Sequence, residues 1–262
     1  MRPLHWRVLV VVFVCSLLLV PVAQVSAKPS TTYINRLSYI QWTGTVSGAE
    51  TIMYISNPGL SANPGTWARH IDLVATDLST VAMGFEKFNT AGSAQYCFNY
   101  PIGLYMFIHF DIRSSGSKGN SCYPVPTSDI NTSGLISISN DSSTGDVEFN
   151  AKGFPTDFGC QPKPCSLAFH NIFPTWNTIN MVESIKNNVS GHNVWGVTWL
   201  SNEYLNSKGW NYQTNPGSFP GTGNPGNPPQ MFWYVPPAPG DFGGALDSCV
   251  YETGINNCIQ GQ

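Results

Sequence analysis

Two His-x-Asp triplets, His70-Ile71-Asp72 and His109-Phe110-Asp111, have the residue types and spacing for chemistry. On an extended strand, residues i and i+2 point to the same side, so each triplet sets an imidazole beside a carboxylate. Such a pair can hydrogen-bond a polar ligand, exchange a proton or ligate a metal. A zinc site closes its ligands to about 2.0–2.2 Å. In a meander, strands on either side of a third lie roughly 9.6 Å apart, twice the usual spacing. The two triplets therefore do not add up to one four-ligand site, and neither a metal nor any other cofactor is assigned. Glu86 with Glu148 or Glu203 could form an acid–base pair, but that needs carboxyls about 5–10 Å apart. Nothing in the sequence sets that separation. No G-x-S-x-G elbow and no H-E-x-x-H run is present, and no catalytic residue is assigned.

The elements that must position these groups are strands. Apolar and polar residues alternate near 50–56, 67–75, 80–88, 103–113, 134–139, 146–151, 166–172, 193–200 and 230–235. Turn-forming residues separate them at Asn57-Pro58-Gly59, Asn63-Pro64-Gly65, 114–120 and 140–145. One helix is expected over 176–188, where Ile179, Val182 and Ile185 recur every third residue and Gly191 can end the run. Residues 215–244 are rich in Pro and Gly around Met231-Phe232-Trp233-Tyr234-Val235. They read as a long ordered loop with a short strand, and 215–229 reads equally as disorder. The fold class is all-β: an antiparallel β-sandwich of jelly-roll or concanavalin-like type, with one short helix and that long loop.

Period two partitions three successive strands. Ile71 and Leu73, then Val81, Met83 and Phe85, then Leu104, Met106, Ile108, Phe110 and Ile112 belong in the core. If these strands pair as a meander, their other faces make one surface. Ala82 and Gly84 form a low floor, His70 and Asp72 stand on one side, and Tyr105, Phe107, His109 and Asp111 on the other. Glu86 and Arg113 lie towards an end. Small residues flanked by aromatic rings and polar tips make a shallow groove suited to an extended polar ligand, a glycan or a peptide. These nine residues, His70 to Asp111 with Glu86, are the candidate ligand-binding set.

The N-terminus reads as an export signal. Arg2 and Arg7 precede an apolar run, Pro21 breaks it, and Val25-Ser26-Ala27 offers a small-residue cut site. The run is shorter than the about 20 apolar residues of a spanning helix. The expected organisation is a signal peptide, 1–27, and a single disulfide-stabilised domain, 28–262. Cleavage leaves 235 residues with ten basic and fifteen acidic side chains, net −5. That balance argues against nucleic acid and anionic membrane surfaces as partners. Charged residues make up 10% of the chain, against about 25% in ordinary domains, so uncharged polar residues must build the surface. Six cysteines follow the signal, an even number that implies disulfides in an exported chain. Sequential pairing gives Cys97–Cys122, Cys160–Cys165 and Cys249–Cys258. Asn131, Asn140 and Asn188 begin N-x-Ser/Thr triplets, which matter only in a glycosylating host.

Several pieces within 48–88 resemble the secreted glutamic-peptidase-like sandwiches, including neprosin-like proteins and their bacterial relatives. They are Gly48-Ala49-Glu50-Thr51-Ile52, Asn57-Pro58, Trp67 with Ile71-Asp72-Leu73, and Val81-Ala82-Met83-Gly84-Phe85. In the glutamic-peptidase members, the resemblance implies a curved sandwich with a catalytic Gln and Glu on its concave sheet. Here Ala82 stands where the Gln of the Gln-x-Gly strand would be. The strand bearing the Glu best matches 96–101, which holds Asn99 and no Glu. Both departures argue against that chemistry, and nothing aligns Glu86 as a replacement. The sequence thus points to an exported, non-catalytic β-sandwich that binds a glycan or peptide. A glutamic-type peptidase or other hydrolase and a structural cell-surface component are the alternatives.

Overall fold

Backbone amides in a sheet need partners on both sides, and the alternating segments find them in two antiparallel sheets. The computed structural model describes residues 34–60, 65–141, 143–156, 158, 165–170, 175–187, 197–213, 231–234 and 242–246. In chain order the strands are β1 (Ile34–Val46), β2 (Gly48–Tyr54), β3 (Thr66–Ala75), β4 (Thr80–Phe88), β5 (Gly103–Ile112), β6 (Ser117–Pro124) and β7 (Ser133–Asp141). They continue with β8 (Asp146–Lys152), β9 (Cys165–Phe169), β10 (Trp176–Asn187), β11 (Val197–Asn206), β12 (Gly209–Tyr212), β13 (Met231–Tyr234) and β14 (Phe242–Leu246). The six-stranded sheet runs β1-β10-β3-β4-β5-β6, and the eight-stranded sheet runs β13-β14-β11-β2-β7-β8-β9 with β12 added on β11. All described strands belong to the compact unit 32–262.

The inner faces of the two sheets share one core. Val81, Met83, Phe85, Met106 and Ile108 of the first pack in a cluster with Ala49, Met53, Ile136, Ile138, Val147 and Phe149 of the second. Arg69 is also buried on this side, with its Nη1 donating to the Tyr54 carbonyl at 2.8 Å and its guanidinium 5.4 Å from the Trp67 ring. The all-β sandwich read from the sequence is therefore the fold, and the three-strand partition holds on the core side.

Three sequence readings are corrected. The helix expected over 176–188 is strand β10, paired with β1 on one side and β3 on the other. The register shifts between Trp176 and Thr178, so Trp176 and Ile179 both enter the core although they are three residues apart. The recurrence of Ile179, Val182 and Ile185 that suggested a helix falls beyond the bulge on regular strand, where Ile179 and Met181 face the core and Asn180, Val182 and Ser184 face outward. Residues 117–120, read within a turn, begin β6. Residues 96–101, matched above to a strand, are a bend in the β4–β5 connection. Among the described residues the helical structure is a three-residue 3-10 turn, Thr127–Asp129, and no helix is long and apolar enough to cross a membrane. Residues 1–27, the cysteine pairs 160–165 and 249–258, Asn188 and the loop 215–229 lie outside the described residues or side chains.

Candidate functional site

The antiparallel register lays the outer face of the six-stranded sheet out in rows. One row runs Gln41, Asn180, Asp72, Ala82, His109, Asn120 across β1, β10, β3, β4, β5 and β6. The next runs Val182, His70, Gly84, Phe107, Cys122, and a third runs Ser184, Ala68, Glu86, Tyr105, Pro124. Eight of the nine candidate residues, all but Asp111, fall in these rows, on the three neighbouring strands that the meander reading required. Asp111 lies beyond them, opposite Thr80, and pairs with Arg113 at 3.7 Å.

The groove is nevertheless not open along its length, because the chain fills it. The connection between β4 and β5 folds back over the small residues of β4 and places the Tyr96 ring on Phe107. Those two rings stack at 3.9 Å, and Tyr96 lies 5.3 Å from both His70 and His109. Ala82, Phe88, Tyr96, Cys97, Tyr105, Phe107 and Cys122 form a second apolar cluster on this side of the sheet. Phe107 and Glu86 are wholly buried, and Ala82 is 1% exposed. The floor predicted to receive a ligand thus receives Tyr96. Gly84 serves a related need: a Cβ there would sit 2.5 Å from the Cα of His70 and closer still to the Arg69 carbonyl oxygen.

Two devices hold this cap. The Cys97–Cys122 disulfide, predicted from pairing order and now observed, ties it to β6. Glu86 accepts backbone N–H bonds from Gln95 at 2.5 Å, Tyr96 at 3.0 Å and Cys97 at 2.9 Å. Burial pushes the Glu86 carboxyl above its ordinary value of 4.5, and those three hydrogen bonds, with His70 nearby, pull it only part of the way back. A raised folded-state value means the native chain binds this proton more tightly than the unfolded one. Its contribution to stability is present below pH 4.5 and is lost as pH rises through the raised value. Urea midpoints measured from pH 4 upward should therefore fall for the wild type relative to Glu86→Gln just above the ordinary glutamate range. A rise would reverse the assignment.

Beyond the cap, towards β1, the face opens. A pocket of about 320 Å³ is lined by Gln41, His70, Asp72, Gln95, Tyr96 and Asn180, with Val182 and Ser184. Its polar groups are linked in series. Gln41 Nε2 donates to Asn180 Oδ1 at 3.0 Å, and Asn180 Nδ2 reaches Asp72 Oδ2 at 3.5 Å. Asp72 Oδ1 lies 3.0 Å from His70 Nε2, that nitrogen meets the Tyr96 hydroxyl at 3.2 Å, and Gln95 Nε2 donates to the same hydroxyl at 3.0 Å. The Tyr96 hydroxyl is held well above its ordinary range, first by burial and then by the Asp72 and Glu86 charges.

This geometry suits binding better than nucleophilic catalysis. In a nucleophile–base–orienter series, the imidazole uses one nitrogen for each partner. Here Asp72 and Tyr96 both address Nε2, while the buried Nδ1 makes no hydrogen bond. His109 turns elsewhere, its Nδ1 2.5 Å from Asn120 Oδ1, and no group of three metal-ligating side chains occurs among the described residues. Glu86 is also separated from Glu148 and Glu203, which belong to strands of the other sheet; Glu203 instead faces Glu50 across β11 and β2.

No family model matches the chain, and no curated protein matches it. Among solved structures it is similar to Scytalido-glutamic peptidase with a peptide-based transition state analog, at 9% identity and a TM-score of 0.48, over 82% of this chain and 100% of that one. It is also similar to SCP-B, a member of the eqolisin family of peptidases in complex with the tripeptide Ala-Ile-His, at 9% identity and a TM-score of 0.44, again over 82% and 100%.

Sequence reasoning missed Gln41, Gln95, Tyr96, Asn180, Val182 and Ser184. The signal that could have found three of them is the alternation of Asn180, Val182 and Ser184 in β10, hidden by the three-residue recurrence of Ile179, Val182 and Ile185. Gln95 and Tyr96 come from a connection whose path follows from no periodicity.

Proposed function

We propose that this chain is an exported, non-catalytic β-sandwich that binds a polar extracellular ligand in the pocket beside Tyr96. The observation that carries the reading is the pocket itself: three amide side chains, a carboxylate, an imidazole and a phenol converge on about 320 Å³. Binding sites commonly combine such a small set of converging polar groups with a preformed cavity of this size. The cap preorganises the pocket, because Tyr96 is fixed from below by Phe107 and its backbone is fixed by Glu86. Export accords with the charged, apolar and small-residue order of 1–27 and with the Cys97–Cys122 disulfide.

The test is a screen of the full chain against a glycan array and a peptide library, repeated with Asn180→Ala. A ligand whose binding falls at least about ten-fold in Asn180→Ala supports the reading, since such a loss corresponds to one good buried hydrogen bond to a charged or polar partner. Absence of any ligand, or binding indifferent to Asn180→Ala, removes it. The hydrolase reading predicts turnover of the same ligand, abolished by His70→Gln.

A further inference from the structure

We infer that the group this pocket takes is cationic: the ammonium or guanidinium of a lysine or arginine side chain presented by a peptide. The inference rests on the binding reading above and narrows its ligand class. It starts from how little the structure does to neutralise Asp72. Oδ1 is buried and sits at ion-pair distance from His70 Nε2, yet it makes no hydrogen bond there. Oδ2 has the Asn180 amide at 3.5 Å, the outer limit of a hydrogen bond. An ionised carboxylate accepts at up to about four lone-pair sites, so Oδ2, with that one long contact, retains acceptor capacity for a ligand in the pocket.

The surroundings have the same sign. Glu86 lies one row behind His70, and the Tyr96 hydroxyl feels the negative charge of both acids. Among the described residues that line the pocket, none is Lys or Arg. Arg69, the nearest basic residue on β3, points to the opposite side of the sheet, into the core. A cation entering the pocket therefore meets a carboxylate oxygen with unused acceptor capacity, Oδ2, and amide oxygens that also accept, while the His70 imidazole addresses the other oxygen, Oδ1. Val182 and the Tyr96 ring supply apolar surface for the methylene stem of a long basic side chain. A neutral sugar hydroxyl could hydrogen-bond the same groups but leaves the carboxylate charge uncompensated, which is why a basic peptide is favoured over a glycan.

The experiment titrates the full chain at pH 7.5 with acetyl-Ala-Ala-X-Ala-Ala-amide, X being Lys, Arg or Gln, and with cellopentaose as a neutral glycan. Heat gives affinity, and the side-chain amide signal of Asn180 reports pocket occupancy. The Lys or Arg peptide should bind about ten-fold or more tightly than the Gln peptide, a charge-assisted hydrogen bond against a neutral one. That preference should shrink with added salt. Asp72→Asn should abolish that preference, and the salt series on the wild type decides the matter if that variant does not fold. Equal binding of Lys and Gln peptides, or preferential occupancy by cellopentaose, overturns the cationic assignment and leaves the binding reading standing. If no probe moves the Asn180 signal, this inference falls. Absence of a pocket ligand in the wider screen brings down the binding reading as well.

Discussion

Glu86→Ala should lower the stability of the fold by about 2–3 kcal/mol at neutral pH, since truncation strands two buried N–H donors at roughly 1 kcal/mol or more each and a third that is partly buried. The donors are the consecutive amides of Gln95, Tyr96 and Cys97, each bonded to the Glu86 carboxylate. Urea midpoints at constant slope would give the loss directly. Hydrogen exchange should locate it: the amides of 95–97 should become the fastest-exchanging segment of this sheet face, while those of β3 and β4 stay protected. Unchanged exchange at 95–97 would mean that the disulfide alone holds the cap. Glu86 was read from the sequence as a rim residue of a ligand groove. Its burial and its three amide partners make it a structural anchor that acts on the pocket by fixing Tyr96.

Gly84→Ala should cost about 3 kcal/mol or prevent folding, at the upper end of what overpacking does. The added methyl would collide with main-chain atoms of Arg69 and His70, not with the yielding tip of a side chain. Relief requires β3 and β4 to separate at the row that carries His70. Ala82→Gly, one alternation away, creates no such clash, so it serves as the control for a general loss of strand propensity. Comparing the two by thermal and urea denaturation isolates the close approach. If Gly84→Ala and Ala82→Gly are equally mild, the tight packing of His70 over Gly84 is not real.

These two residues also show how far the sequence could be read. Period two sorted Ile71, Val81, Met83, Phe85, Met106 and Ile108 correctly into the core, because burial of one face leaves an unambiguous alternation. The meander adjacency of β3, β4 and β5 is found in the register, although only the β3–β4 connection is short, and His70 and Asp72 were found because they share a strand face. What stayed hidden was non-local or broken in period. β10 joins the sheet from a hundred residues downstream, and its apolar Ile179, Val182 and Ile185 recur every third residue although they sit on a regular strand. β1 enters from a segment with no strict alternation. The cap is a connection with no regular structure of its own, so nothing in its pattern revealed that Tyr96 would occupy the floor left by Ala82 and Gly84. Phe107, predicted to stand beside a ligand, therefore stands beside Tyr96.

Where a ligand can bind on this face depends on which of its aromatic rings meet water. Hydroxyl-radical footprinting of the folded chain, read residue by residue, measures that without any ligand. Tyr96, Tyr105 and Phe107 should be as protected as the core residue Phe85, while Phe98, half exposed on the same connection, reacts readily. Oxidation of Tyr105 and Phe107 at the rate of Phe98 would show an open groove on β4 and β5, and would return the ligand site to the place where the sequence first put it.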